Sequence, residues 1–141
     1  MTDLLDTSVL VAAVRTADER HEASHRLVAR CTPQTAACAA HSLAEVYATL
    51  TGMRPPNRFR PEQAMLVLNQ IHTNLHCIPL TAEEVFLAAQ RTASLKLPGG
   101  IIYDALLLAC ARKIDAQRIY TWNVQHFRLA APDLAERIVT P

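Results

Sequence analysis

Short apolar segments alternate with segments of helical period along the whole chain, and that alternation leaves few folds open. Strands are predicted near Thr2 to Leu5, at Gln34 to Ala39, Leu75 to Leu80, Arg118 to Thr121 and Arg137 to Thr140. Between them, helices are predicted from Ser8 to about Arg15 and from His21 to Arg30, where Ala23, Leu27 and Cys31 share a face. Another starts at Ser42, carries the stripe Leu43, Val46, Tyr47 and Leu50, and stops at Gly52. Pro61 opens the next, with Met65, Leu66, Leu68 and Ile71 apolar. Thr81-x-x-Glu84 is a capping box for a helix to about Leu95. After the break Pro98-Gly99-Gly100 comes a helix from Ile101 to Ala111, and Val124 to Phe127 reads as one helical turn. Strands alternating with helices imply an α/β fold of three layers, a mostly parallel central sheet of four to five short strands flanked by helices. Such sheets bind ligands outside the carboxyl ends of their strands. At 141 residues, half of them hydrophobic, the chain closes one core, so residues 1–141 are expected to form one domain.

Charge narrows the functional classes. With 14 Lys+Arg against 13 Asp+Glu and only 19% charged residues, the chain is neither disordered nor a polycation that holds nucleic acid by bulk charge, so an acidic partner must be gripped locally. The start, Met1-Thr2-Asp3-Leu4-Leu5-Asp6, has no basic segment of the signal-peptide kind, and no apolar run approaches the ~20 residues of a membrane span. Cys31, Cys38, Cys77 and Cys110 match neither a C-x-x-C pair nor a dense disulfide framework. The expectation is a reduced, cytoplasmic protein with no membrane association.

Three carboxylates carry the chemistry. Asp104 has only apolar or small helical neighbours in Gly100, Ile101, Leu107 and Leu108, and an unpaired buried carboxylate costs several kcal/mol unless it is paired, protonated or given a metal. Asp6 follows the first strand directly and would serve as a helix N-cap, with Thr7 and Ser8 beside it. Glu45 completes a possible capping box, Ser42-x-x-Glu45. Each of these local roles is sufficient for its own residue, but together they leave unexplained why three acids reach one rim of the sheet. Close carboxylates repel and raise one another's pKa unless a cation lies between them, and hard oxygen ligands favour magnesium or manganese over zinc.

Four segments in order resemble the motifs of PIN-domain ribonucleases of the VapC toxin type: Asp6-Thr7-Ser8-Val9-Leu10-Val11, Ala44-Glu45-Val46-Tyr47-Ala48-Thr49-Leu50-Thr51, the run from Tyr103-Asp104 to Ala111, and Tyr120-Thr121-Trp122-Asn123-Val124-Gln125-His126-Phe127. The resemblance spans nearly the whole chain. It implies a PIN-like fold in which Asp6, Glu45 and Asp104 are the metal-binding catalytic acids, supported by Thr121 and Asn123. It further implies Mg2+ as the cofactor, with Mn2+ as a substitute, an RNA substrate cut to leave a 5′-phosphate and a 3′-hydroxyl, a cognate antitoxin that covers the acidic site, and a homodimer. A divalent ion there would lower the pKa of water and shield the scissile phosphate, so the protein need not supply a nucleophile. Many members carry an aspartate near the place of Asn123 or His126, and this chain has none.

Other readings compete. His21-Glu22-Ala23-Ser24-His25 is a literal zinc-peptidase H-E-x-x-H motif, with Glu45 as a conceivable third ligand, but Asp18, Glu19, Arg20 and Arg26 mark its helix as a solvated face. A phosphoacceptor receiver domain would need an acid at the end of a central strand, and Leu75 to Leu80 has none. A PIN fold without activity that only binds a partner is the remaining alternative. Arg54, Arg58 and Arg60, on a Pro-rich loop with Phe59, suit phosphate contacts to RNA, though an ordinary solvated loop has the same composition.

Overall fold

The structure, a computed structural model, describes residues 2–141. In chain order the elements are β1 (Asp3–Leu5), α1 (Thr7–Ala12), α2 (His21–Ala29), β2 (Ala36–Ala39), α3 (Ser42–Thr51), α4 (Pro61–Asn74), β3 (His76–Ile78), α5 (Ala82–Ser94), α6 (Ile101–Lys113), β4 (Ile119–Tyr120), α7 (Val124–Ala130), a 3-10 helix (Pro132–Arg137) and β5 (Ile138–Val139). The strands form one sheet in the order β3-β2-β1-β4-β5, with every pairing parallel. The expected three-layer α/β architecture is thus present, with five strands.

Alternation along each strand builds the layers. Leu4, Ala37, Ala39, Ile78, Ile119 and Ile138 face a core closed by Leu107, Leu108 and Cys110 of α6 and Phe127 and Ala130 of α7. Their neighbours Leu5, Ala36, Cys38 and Tyr120 face the other core, closed by Val9 and Leu10 of α1, Leu27 of α2, Val46 and Leu50 of α3, and Val67 and Ile71 of α4. Each side chain points opposite to the next, so a single-residue slip in register would exchange the two cores. Alanine is a weak strand former, yet Ala36, Ala37 and Ala39 make up most of β2, because burial on both faces overrides intrinsic preference.

The expected elements differ from the observed ones mainly at their ends. α1 stops at Ala12 rather than near Arg15, because Val14 and Arg15 donate to Val11 and Ala12, three residues back, and tighten the chain into a turn. β2 begins at Ala36 rather than Gln34, since a turn from Thr32 to Thr35 takes up the preceding backbone groups. Pro79 has no N–H to donate and ends β3 at Ile78. The turn expected at Val124 to Phe127 is a full helix to Ala130, followed by a 3-10 helix that periodicity does not reveal. Thr81 and Glu84 make both hydrogen bonds of their capping box, at 3.2 and 2.8 Å. At Gly99 the backbone turns through φ +67°, a conformation that favours glycine, and α6 begins two residues later.

Strand order positions the site. From β1 the chain winds outward through β2 to β3 with its helices on one face, then returns to the other side of β1 for β4 and β5 with α5, α6 and α7 on the opposite side. The direction of winding therefore reverses between β1 and β4. There the connections leave in opposite directions and open a crevice at the carboxyl edge.

Candidate active site

Asp6 lies at that switch point, one residue past β1, as the N-cap of α1 and only 4% exposed. Its backbone N–H donates to the Tyr120 carbonyl at the end of β4, at 2.9 Å. Two hydroxyls converge on one of its oxygens: Ser8 Oγ donates to Oδ2 at 2.7 Å and Thr121 Oγ1 donates to the same atom at 2.8 Å. Each hydroxyl is itself aimed by a backbone amide, Ser8 accepting from Trp122 N–H at 3.1 Å and Thr121 from Asn123 N–H at 3.0 Å. A hydroxyl that already accepts from an amide has its proton free for the carboxylate, so both relays run towards Asp6. Burial raises the Asp6 pKa, and the Ser8 and Thr121 hydroxyls, with the Ser8 and Thr7 amides, oppose it.

Glu45 comes from the first turn of α3. The expected Ser42-x-x-Glu45 capping box is absent: His41 is the N-cap, no side chain caps the helix, and Ser42 is fully buried, accepting from Thr7 Oγ1 at 3.1 Å. Ser42 therefore ties α3 to α1 and leaves Glu45 free for the rim. Its carboxyl is raised by burial first, then by Asp6, with the Thr7 hydroxyl opposing and Asp104 adding to the rise. Glu45 Oε1 is buried without a hydrogen-bond partner, and so is Nε2 of His41, which stands 3.3 Å away in a geometry that does not make a hydrogen bond. Burial lowers the His41 pKa, against the pull of Asp6.

Asp104 arrives from the other side. α6 runs into the amino end of β4, so its first turn, which carries Asp104, lies at the carboxyl edge. Asp104 is partly buried rather than a core residue, and its pKa is pushed up to about 6, by burial first and then by Asp6, with His126 opposing. Asp6 thus raises both other acids, and Asp104 raises Glu45. All three occupy helix N-termini, where the backbone dipole favours anions, yet all three are raised, so burial wins, joined at Glu45 and Asp104 by repulsion from Asp6. Among the described residues no three His, Cys, Asp or Glu side chains already close on one point. A loose rim of hard oxygen donors with one orphaned buried oxygen suits an ion of the magnesium class, which keeps several of its waters and takes only one or two carboxylates plus substrate phosphates.

The remaining candidates divide. Thr7, Ser8 and Thr121 join the hydrogen-bonded group around Asp6. Asn123 contributes its backbone N–H, while its side chain is exposed and caps nothing. Arg54, Arg58 and Arg60 are exposed beyond the far end of α3, with Gly52 about 10 Å along the helix axis from Glu45; Arg58 donates to the Met53 carbonyl at 2.8 Å and Arg60 pairs with Glu62 at 3.0 Å. In the H-E-x-x-H segment, His21 faces the Ala12 carbonyl at 3.0 Å, its ring stacks on His25 with centroids 5.4 Å apart, and Glu22 is paired with Arg26 in solvent. His21 and His25 border a separate cleft of about 510 Å³ between α1, α2 and α4. The sequence reading names His126 only as a place where relatives carry an aspartate, and it did not single out His41. It also missed the brace on Trp122, whose indole N–H donates to the fully buried Ser24 at 2.9 Å under the Arg20 guanidinium, 5.4 Å from the ring centroid.

Comparison with known proteins identifies the family. The PIN domain family profile matches residues 4–131. Ribonuclease VapC40 of Mycobacterium tuberculosis, in strains CDC 1551 and H37Rv, is 34% identical over 112 residues, covering 79% of this chain and 80% of the relative. Among solved structures, the M. tuberculosis toxin VapC20, described as cleaving the sarcin-ricin loop, superposes with a TM-score of 0.72 at 21% identity, covering 89% of this chain and 92% of that one. VapBC-1 of nontypeable Haemophilus influenzae gives 0.67 at 17% identity, covering 99% and 98%. VapBC2 of Rickettsia felis, bound to a fragment of its promoter DNA, gives 0.63 at 21%, covering 91% and 92%. The chain therefore belongs to the PIN-domain family and, within it, to the VapC ribonucleases.

Proposed function

We propose that this protein is a metal-dependent endoribonuclease, the toxin of a toxin–antitoxin pair, which hydrolyses RNA phosphodiester bonds at Asp6, Glu45 and Asp104. The observation that carries the reading is the gathering, at the switch point of a parallel sheet, of three carboxylates all raised by burial, with Asp6 acting on the other two and no cationic side chain of Lys or Arg among the causes of their shifts. Asp6, Glu45 and Asp104 would hold the ion, Mg2+ by the hardness of the donors, with Mn2+ able to replace it. When bound, a divalent cation supplies Lewis acidity that lowers the pKa of water and offsets the charge of the phosphate. The side chains do the rest. Ser8 and Thr121 fix the rotamer of Asp6 through Oδ2, the Thr7–Ser42 bond fixes the helix that carries Glu45, and Asp104 closes the crevice from α6. Arg54, Arg58 and Arg60 would contact RNA phosphates away from the cut.

A protein partner is part of the same proposal. Met65 and Leu66 on α4, Phe86 and Leu87 on α5 and Leu129 on α7 are more than two-fifths exposed, more large apolar surface than a lone chain of this size benefits from showing. An antitoxin covering the acidic site and a second copy of the chain are the occupants that the family supports. The whole chain, residues 1–141, is read as one PIN domain, since β5 lies beyond the matched segment and completes the sheet. The peptidase alternative loses its support, as His21 and Glu22 are engaged elsewhere.

The test is to incubate the pure protein with total cellular RNA in Mg2+, in Mn2+ and in chelator, and to sequence the new 5′ ends. Discrete cuts bearing 5′-phosphates are expected with metal and not with chelator or with Asp6→Asn. Cleavage that survives either would overturn the proposal.

A further inference from the structure

The crevice holds a donor that a set of three acids does not account for. His41 and Glu45 stand one helical turn apart at the start of α3, and each presents to the other a buried atom without a hydrogen-bond partner, Nε2 and Oε1. An orphaned pair in contact is costly to keep unless something else satisfies both atoms. Their separation, 3.3 Å, is informative. Two donors each about 2.1 Å from one ion, at the 90° to 110° between neighbouring ligands of an octahedral or tetrahedral centre, stand about 3.0 to 3.4 Å apart. A hydrogen bond would need the imidazole N–H directed at the oxygen, and the geometry does not give that alignment. Nor is the His41 side chain engaged in helix capping, although the residue occupies the N-cap position of α3.

We propose that His41 is a nitrogen ligand of the divalent cation and chelates it together with Glu45. This rests on the metal-dependent reading of the acidic site and extends its ligand set to a residue outside the three acids. In a chain that has no fourth aspartate near Asn123 or His126, an imidazole on the facing helix restores the donor count without restoring charge. Nitrogen is a poor ligand for Mg2+ and an acceptable one for a transition ion, so His41 would set the choice of metal.

The experiment uses Mn2+ as the probe and pulsed electron paramagnetic resonance as the readout, on the full chain without RNA. Wild-type protein with Mn2+ should show imidazole nitrogen coupling, and that coupling should change when histidine is labelled with 15N. It should disappear in His41→Gln and persist in His126→Gln. Mn2+ affinity should fall about tenfold in His41→Gln while Mg2+ affinity barely moves. Because the 15N comparison needs no substitution, it stands even if a variant folds poorly. Mn2+ bound by wild type and lost in Asp6→Asn, with no histidine coupling or with coupling that survives His41→Gln, would overturn the ligand proposal alone. Absence of Mn2+ binding to wild type would overturn the metal reading and this proposal together.

Discussion

Asp104→Asn should stabilise the metal-free protein and abolish its metal-dependent gain. Raising this carboxyl from 3.8 to about 6 means that folding penalises its charged form by about 3 kcal/mol. Asp104 is only partly buried and solvent screens some of this, so about 1 to 3 kcal/mol is the expected gain. The sign follows from linkage. The native state holds its proton to higher pH than the unfolded chain, so stability is complete below the unfolded pKa and is lost as pH rises through about 6. Asn removes that loss. Its advantage should therefore be full above about pH 7 and vanish near pH 4, appearing as a rise of about 3 to 10 °C in Tm for a chain of this size. Thermal unfolding of both proteins across that range, in chelator and then with Mn2+, measures it. Wild type should gain Tm from Mn2+ and the variant should not. A variant less stable than wild type at neutral pH, or an advantage independent of pH, would refute the argument that crowding and burial destabilise this carboxylate.

Four further outcomes are expected. Thr121→Val deletes one of two donors to Asp6 and should cost about 1.5 to 3 kcal/mol in urea unfolding near neutral pH, with Mn2+ affinity reduced about tenfold by calorimetry; unchanged affinity would show that Asp6 does not face the ion. Cleavage at sub-saturating metal should rise with pH through about 6, because Asp104 must lose its proton to accept a cation, and a flat profile would contradict that. His126→Asp should tighten Mn2+ binding more than Asn123→Asp does, because His126 already acts on Asp104 whereas the Asn123 side chain is exposed; the reverse order by calorimetry would place Asn123 at the site instead. His21→Ala and His25→Ala should leave RNA cleavage unchanged, and loss of bound zinc from either would revive the peptidase reading.

The sheet was legible because its strands are short apolar runs set between helices with a period near 3.6, and the proposed acids Asp6, Glu45 and Asp104 drew attention because they sit where strands hand over to helices or where an apolar helix tolerates no charge without reason. His41 was not. Its spacing of four from Glu45 is present in the sequence, but Ser42-x-x-Glu45 offered a capping box that explained Glu45 locally, and only the Thr7–Ser42 contact, across 35 residues, removes that explanation. The relays through Ser8 and Thr121 depend on which strand lies beside β1, and periodicity carries no information on strand order. The Trp122–Ser24 bond spans 98 residues, and a buried serine on a charged helix gives no local sign of it. Conversely, the arginine loop was read from composition alone, which says what its residues can bind but not how far they stand from the acids.

The most direct test is anomalous scattering from crystals of the Mn2+-loaded protein without RNA. One peak is expected at the carboxyl edge between β1 and β4, within about 2.0 to 2.6 Å of carboxylate oxygens of Asp6, Glu45 and Asp104. A peak on His21 and His25 instead, or any two of the three carboxylates more than about 10 Å apart around an empty crevice, would contradict a shared cation at this site.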